Sequence, residues 1–326
     1  MFRKFPDTGR VRLPDEKPFR RHCGAGPEQC YFHDVQQAGC AQMLSSKMIL
    51  NDEEFVLLRE YIQKECGLVV GDESASLIQG RLARLVTDTQ SESFRELYLK
   101  ARADETRKLR NKIIEAMTTH ETSWFRDPKT WDTLRDHIIP ALIADVKKGR
   151  KKRVQVWSAG AGTGQEPYSF AMLLFEALQS ENEANISHFR IMATDVSPSA
   201  LFMASSGRYD EITMSRGMIP AYQARFFQQN GGIFQINPEI RQMVMFKQAD
   251  LTKNGSDIPP CDLVLCRNVI GGFPSEIRRK LLRKIYDNMN EDGYLVLGVA
   301  DNLLSCSEDF VQHSHQNTVY YKPKKQ

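Results

Sequence analysis

The sequence predicts an α/β protein: a doubly wound, Rossmann-like domain carrying a small antiparallel β insert, preceded by a small all-α domain. Three observations predict it. Residues 154–169, VQVWSAGAGTGQEPYS, pass from alternating apolar residues (Val154, Val156) through Gly160, Gly162 and Gly164 into a helix-forming segment at Glu166-Pro167, the order strand, glycine turn, helix. Strand and helix patterns then alternate toward the chain end, as a parallel sheet with crossover helices requires. Ahead of them, residues 51–117 carry apolar side chains at helical spacing.

The totals narrow the function classes. A chain of 326 residues has room for two domains, and 41% hydrophobic with 26% charged residues predicts a packed core. With 44 basic against 41 acidic side chains, a net charge of +3 argues against a general nucleic-acid binder; an electrostatic partner must meet a local patch. Seven cysteines are scattered without a CxxC pair. No apolar run approaches the ~20 residues that span a bilayer. The expectation is a cytoplasmic protein that is not membrane-inserted.

Residues 1–45 contain Pro6, Pro14, Pro18, Pro27 and five arginines in the first 21 positions, and read as a disordered basic leader. His22, Cys23, Cys30, His33 and Cys40 lie within it. Only the Cys30–His33 gap suits two ligands of one zinc ion, so free thiols in a loose tail are preferred and no metal is expected. From residue 46 to 118 the pattern is helical. Asn51 or Asp52 caps a helix with Phe55, Leu58, Tyr61 and Ile62 inward, ended by Cys66-Gly67. A second helix from about Ser74 turns Leu77, Ile78, Leu82 and Leu85 inward and Arg81 and Arg84 outward. A third holds Phe94, Leu97 and Tyr98, and a fourth Leu109, Ile113, Ile114 and Met117.

Residues 119–153 form a linker and helix: THETSWFRDP, then Trp131, Leu134, Ile138 and Ile139 at helical spacing, then a basic connector from Lys147 to Arg153. By itself Arg126 reads as a surface ion-pair partner. The nucleotide-binding domain, 154–326, follows. After the glycine turn, FRIMATDVS predicts a second strand ending at Asp195, where a carboxylate suits both ribose hydroxyls; its distance from Gly164 favours an adenosine ligand other than a dinucleotide. The competing reading of Asp195 is a helix N-cap. Residues 207–242 break the alternation and predict the β insert, with a turn at Gly231-Gly232. Strands at Met243–Phe246 and CDLVLCRNVI resume the sheet, the latter delivering Arg267 and Asn268 to its carboxyl end. A helix from Ile277 to Met289, a turn at Glu291-Asp292-Gly293, YLVLGV and a last strand near TVYYK complete it.

In that order, the arginine-bearing second helix, T-x-x-F-R, W-S-A-G-x-x-T-G-x-E-P-Y-S, A-T-D, the β insert and C-R-N-V resemble the CheR-type chemotaxis receptor methyltransferases across residues 48–323. The resemblance implies an S-adenosylmethionine-dependent methyltransferase that methyl-esterifies receptor glutamates and releases S-adenosylhomocysteine. It implies that His120, Thr122 and Arg126 close over the cofactor from the linker, and that Gly160, Gly162, Glu166 and Asp195 hold it. Asp250 and Leu251 would lie beside the adenine, where the family has Asn-Leu. Arg267 and Asn268 would line the far side, shaping the reaction with Arg126 as the catalytic residues.

Departures fall around the acceptor. The family tyrosine facing the methyl group is Gly272 here, beside Gly271, and G-H-S-E reads Gly298-Val299-Ala300-Asp301. The insert loop in QQNGGIF is shorter than in relatives that dock on a receptor's C-terminal pentapeptide, so pentapeptide-independent recognition through Arg81 and Arg84 is expected. The alternative is a catalytically degenerate sensor or scaffold that binds S-adenosylmethionine or its product. Gly272 discriminates: an enzyme with a shifted acceptor turns over, a sensor does not.

Overall fold

Asn51 starts the first helix as the sequence requires. In α1 (Asp52–Cys66) its side chain accepts the Glu54 N–H at 2.9 Å, the Glu54 carboxylate accepts the Asn51 N–H in return, and Gly67 ends the helix at φ +75°. The computed structural model describes residues 49–118, 122–253, 258–299, 301, 303 and 306–324; the leader, its candidate zinc ligands, His120 and Ala300 lie outside them. The helices α2 (Ala75–Asp88), α3 (Phe94–Ala103) and α4 (Lys108–Met117) pack with α1 around Leu58, Ile62, Ile78, Leu82, Leu97 and Ile113, all fully buried. Burying each such side chain is worth about 1.5–3 kcal/mol, which holds helices too short to persist alone in water.

Two expectations for α2 are corrected. Leu77 is 43% exposed and Val86 fills the core in its place, because the buried stripe runs through Ile78, Leu82 and Val86. Arg81 turns back and donates to the Met117 carbonyl, one of the acceptors that a helix leaves open at its C-terminus. Arg84 does face solvent, 3.7 Å from Asp88 one turn on.

The linker enters α5 (Pro128–Thr133), a π turn (Leu134–Ile138) and α6 (Ile139–Lys147). Pro140 has no N–H to give Asp136, and the ladder widens there: the Ile139 N–H reaches back to Leu134 O. Then come β1 (Val154–Ala159), α7 (Gln165–Gln179), β2 (Phe189–Asp195), α8 (Pro198–Ser206), β3 (Arg208–Asp210), α9 (Glu211–Ser215), α10 (Pro220–Phe226), β4 (Phe227–Asn230), β5 (Ile233–Ile236) and α11 (Pro238–Arg241). The chain closes with β6 (Val244–Gln248), β7 (Cys261–Cys266), α12 (Ser275–Asp287), β8 (Met289–Leu297), β9 (Phe310–His315) and β10 (Thr318–Pro323).

Seven strands form one sheet in the order β6-β2-β1-β7-β8-β10-β9; the first five are parallel, and β10 and β9 add antiparallel at the edge. Side chains alternate between two cores, Val154 and Val156 on one face of β1, Trp157 and Ala159 on the other. Strand order reverses between β1 and β7, opening a crevice at their carboxyl ends. The insert is the antiparallel sheet β3-β5-β4, its hairpin closed by Gly231-Gly232.

At the end of the chain, Glu291-Asp292-Gly293 is a bulge inside β8 and not a turn before it. Cys261 pairs with Met289 and Leu263 with Tyr294, so the extra residues loop out, and a Cβ on Gly293 would lie 3.0 Å from the Cys261 carbonyl oxygen. β9 is an additional strand. Its FVQHSH sequence is mostly exposed and carries no apolar alternation.

Candidate active site

The glycine turn is held by the strand beside it. Thr194 O accepts the N–H groups of Gly160 (2.8 Å) and Ala161 (2.9 Å), and the Trp157 indole N–H donates to Thr194 Oγ1 at 2.9 Å. Gly160 sits at φ +77° and a Cβ there would lie 2.4 Å from Val269 Cγ2, so this position requires glycine twice over. One residue past the crossing, Asp195 Oδ2 accepts the Gly162 N–H (2.8 Å) and Oδ1 the Ser197 N–H (2.9 Å). The capping side chain of α8 is Ser197 Oγ, which leaves Asp195 facing the crevice.

Glu166, in the first turn of α7, lies beneath the same crevice. Ser158 Oγ donates to it at 2.8 Å and the Arg267 guanidinium lies 3.4 Å away. Burial pushes its carboxyl above the usual carboxylate range, against the pull of Arg267 and Ser158. Arg267, delivered by β7, is 2% exposed at its side chain; it lies 3.0 Å from Asp127, donates to the Arg126 carbonyl and stacks 5.3 Å over the Trp131 ring.

The linker loop is locked over this pair. Phe125 and Asp127 adopt left-handed φ of +45° and +58°, a strained pair paid back by tight contacts: Trp131 Nε1 donates to Arg126 O at 2.7 Å and the Phe125 N–H to Ser169 Oγ at 3.3 Å. Trp124, 1% exposed, packs edge-on against Tyr209 and Phe227 of the insert at 4.9 and 5.4 Å. The Tyr209 hydroxyl donates to Thr163 O in the glycine turn at 2.9 Å. The Arg126 side chain itself is exposed at the mouth, with no ion-pair partner among the described residues.

Together these elements enclose a cavity of about 250 Å³. Thr122, Arg126, Gly160, Gly162, Glu166, Asp195, Asp250, Leu251, Arg267 and Asn268 all line it, so the structure brings these residues around one cavity; His120 lies outside the described residues. The helical domain contributes Cys66, Leu68 and Met117 to its wall. No metal-ligating cluster occurs among the described residues.

The side of the cavity where the sequence departures fall is built from main chain. Ile270–Gly272 forms a 3₁₀ turn, and Gly272 O accepts the Val69 N–H at 3.3 Å. The Asp301 carboxylate accepts the N–H groups of Asn268 (2.9 Å), Gly271 (3.0 Å) and Gly298 (3.2 Å), while Arg278 donates to Gly271 O (2.8 Å) and Phe273 O (2.6 Å). Neither Gly271 nor Gly272 has a left-handed φ, and a Cβ at Gly272 would make only ordinary contact, 3.5 Å from Leu68 Cδ1. Sequence reasoning missed Asp127, Arg278 and the clamping by Asp301. Asp127 stands before Pro128 at the start of α5 without capping it through its side chain, and its partner Arg267 is 140 residues away, beyond any local signal.

The donor set fits S-adenosylmethionine. The exposed Arg126 guanidinium, without an ion-pair partner among the described residues, suits its carboxylate, and the acidic groups suit its hydroxyls and cationic centre. Comparison with known proteins agrees. The family described as CheR methyltransferase, SAM binding domain, matches residues 120–319, and CheR methyltransferase, all-alpha domain, matches 53–118. A chemotaxis protein methyltransferase of Vibrio parahaemolyticus and chemotaxis protein methyltransferase 1 of Vibrio cholerae are each 32% identical over 276 residues, 84% of this chain and 98% of theirs. Chemotaxis protein methyltransferase 1 of Pseudomonas aeruginosa is 32% identical over 272 residues, 83% and 98% of the two chains. By its two domains, its motifs and its relatives, the chain belongs to the CheR methyltransferase family.

Proposed function

We propose that this protein uses S-adenosylmethionine to methyl-esterify glutamate side chains on the cytoplasmic helices of chemotaxis receptors. The observation that carries the reading is the convergence of Arg126, which has no ion-pair partner among the described residues, with the carboxylates of Glu166, Asp195 and Asp250 on one cavity at the sheet's switch point. Arg126 pairs with the cofactor carboxylate, Asp195 with the ribose hydroxyls, Glu166 with the cationic end, and Thr122 and the glycine turn close over it.

Bound S-adenosylmethionine supplies an activated methyl group whose sulfur leaves as a neutral thioether. The acceptor glutamate is already ionised near neutral pH, so the protein needs no strong base. It has to aim a carboxylate oxygen in line with the methyl carbon and exclude water. The pinned loop from Asn268 to Phe273 does the aiming. Arg267, with its charge taken up by Glu166 and Asp127, acts as a positioning residue in this reading.

Receptor recognition is assigned to the exposed face of α2 at Arg84, since Arg81 is engaged with Met117 O. The two-residue hairpin at Gly231-Gly232 supports recognition without a pentapeptide. In a pull-down with receptor signalling helices, Arg84→Glu is expected to lose binding; undiminished binding removes this face from the proposal.

The function is tested by incubating the full chain with methyl-labelled S-adenosylmethionine and receptor-containing membranes, then measuring methanol released by base. Release from the unaltered protein is expected. Bound cofactor without methanol, restored by Gly272→Tyr, would instead mark a cofactor-binding protein with its acceptor site closed down.

A further inference from the structure

Asp127 and Glu166 divide one guanidinium between them, and they divide it unequally. Nη2 of Arg267 lies 3.0 Å from Asp127 Oδ2 and also donates to the Arg126 carbonyl, whereas Nη1 stands 3.4 Å from Glu166 Oε2. The Trp131 ring lies against the same guanidinium, and its Nε1 holds the Arg126 carbonyl at 2.7 Å. Arg267 is therefore drawn toward the linker loop. Its Nε is buried without a hydrogen-bond partner, so the group keeps a donor in reserve. Glu166 is left with the Ser158 hydroxyl at 2.8 Å on Oε1 and the long contact on Oε2, and it lines the cavity. The charged groups acting on it are Arg267 from β7 and Arg126 from the linker; the buried Cys266 thiol nearby is kept neutral because burial pushes its pKa far up.

A carboxylate closely matched by a guanidinium has little attraction left for a second cation, and one matched at a distance keeps most of it. Resting on the reading of this cavity as an S-adenosylmethionine site, we infer that Asp127 is a positioning residue for the cofactor's ammonium group: by holding Arg267 on the linker side, it keeps the Glu166 carboxylate available for that cation. Without Asp127, Arg267 has Glu166 as its one carboxylate partner among the described residues and closes on it. The neighbours Arg126 and Asp127 then serve both charges of the cofactor's amino-acid end. Arg126 pairs with the carboxylate directly, and Asp127 acts on the ammonium through Arg267 and Glu166. The backbone favours a clean test, since φ at Asp127 is +58°, a conformation that asparagine and glycine also adopt.

The test is calorimetric binding, to the full chain, of S-adenosylhomocysteine and of its analogue with the α-amino group replaced by hydrogen. The unaltered protein should prefer the amine by about tenfold or more, the scale of one charge-assisted hydrogen bond. Asp127→Asn should shrink that ratio by about threefold or more, a coupling of ordinary size between residues in one network. Glu166→Gln should bring the ratio close to one, and Asp127→Asn added to it should change nothing further. Asp127→Gly carries the arm if Asp127→Asn does not fold. In Asp127→Asn, Glu166 should also ionise at lower pH, with Arg267 closer and one like charge gone, so the pH at which affinity for S-adenosylhomocysteine rises should move down. Because the ratio is internal to each preparation, partial unfolding does not mimic the result. Absence of S-adenosylhomocysteine binding to the unaltered protein overturns the cofactor reading itself. Equal affinity for the two compounds, an unmoved ratio or pH profile in Asp127→Asn, or an Asp127→Asn effect that persists with Glu166→Gln overturns the inference and leaves that reading standing.

Discussion

The Arg267 guanidinium lies 3.4 Å from the Glu166 carboxylate beneath the cavity, with side chains 2% and 13% exposed. One partner comes from the end of a strand and the other from the first turn of a helix 101 residues earlier. A buried charge stripped of its partner is costly, and Arg267 also answers Asp127. Arg267→Ala should therefore destabilise the protein by about 3–5 kcal/mol, measured by denaturant unfolding, and lose cofactor binding as a consequence.

Arg126→Ala should do the opposite. Its exposed side chain has no ion-pair partner among the described residues, so stability should change by no more than about 0.5 kcal/mol. Cofactor affinity should fall by about tenfold, the loss of one charge-assisted pairing. A melting temperature and a titration on the same sample separate the two arginines.

Glu166 makes cofactor binding pH-dependent. Burial raises its folded-state pKa, so below that value the carboxyl is neutral and has no charge for a cationic ligand. Affinity for S-adenosylmethionine should rise with pH through that raised value and then level off, and Glu166→Gln should flatten the profile. For the ligand-free protein the sign is reversed. Stability from this group is fully present below the unfolded value near pH 4.3 and is lost as pH rises through the folded one.

Asp195→Ala should weaken S-adenosylhomocysteine binding by about 1–3 kcal/mol. Since Asp195 also accepts the Gly162 and Ser197 N–H groups, stability should fall with it. Asp195→Asn keeps an acceptor oxygen in place and should lose less of both. Equal losses from the two variants in calorimetry would count against a role for the negative charge.

The glycines separate by backbone. Gly160→Ala meets Val269 at 2.4 Å in a left-handed conformation and should fail to fold or to bind. Gly272→Ala meets nothing closer than 3.5 Å at an ordinary φ and should be neutral or stabilise by about 0.4–1 kcal/mol. Thermal melts of the two proteins check this directly.

Much of the fold was legible because its signals are local. Asn51, Gly67 and the apolar spacing of residues 55–62 give α1; the glycines after Val156 give the turn; Leu263 to Leu265 give the central strand β7. Exposed elements carried no such signal. β9 alternates histidine, serine and glutamine, and Leu77 looked like core because helical spacing does not say which edge of an apolar stripe meets a neighbour. In the cavity, the residues read from motifs, His120 aside, line one wall or another, yet their relations were hidden. Nothing near Arg267 in sequence announces Glu166 and Asp127, and Arg81 was drawn away from solvent by a carbonyl 36 residues on. Long-range partners of charged groups are set by packing, to which a single sequence gives no direct key.

Trp124 and Tyr209 decide how this molecule can be taken apart. One plugs the linker loop into the insert, and the other ties the insert to the glycine turn. The insert is thus no detachable module: cutting out residues 207–242 would bare the Trp124 indole and free the loop that carries Thr122 and Arg126. A chimera that borrows a relative's insert must import the matching linker with it, and the two segments form a single unit of exchange.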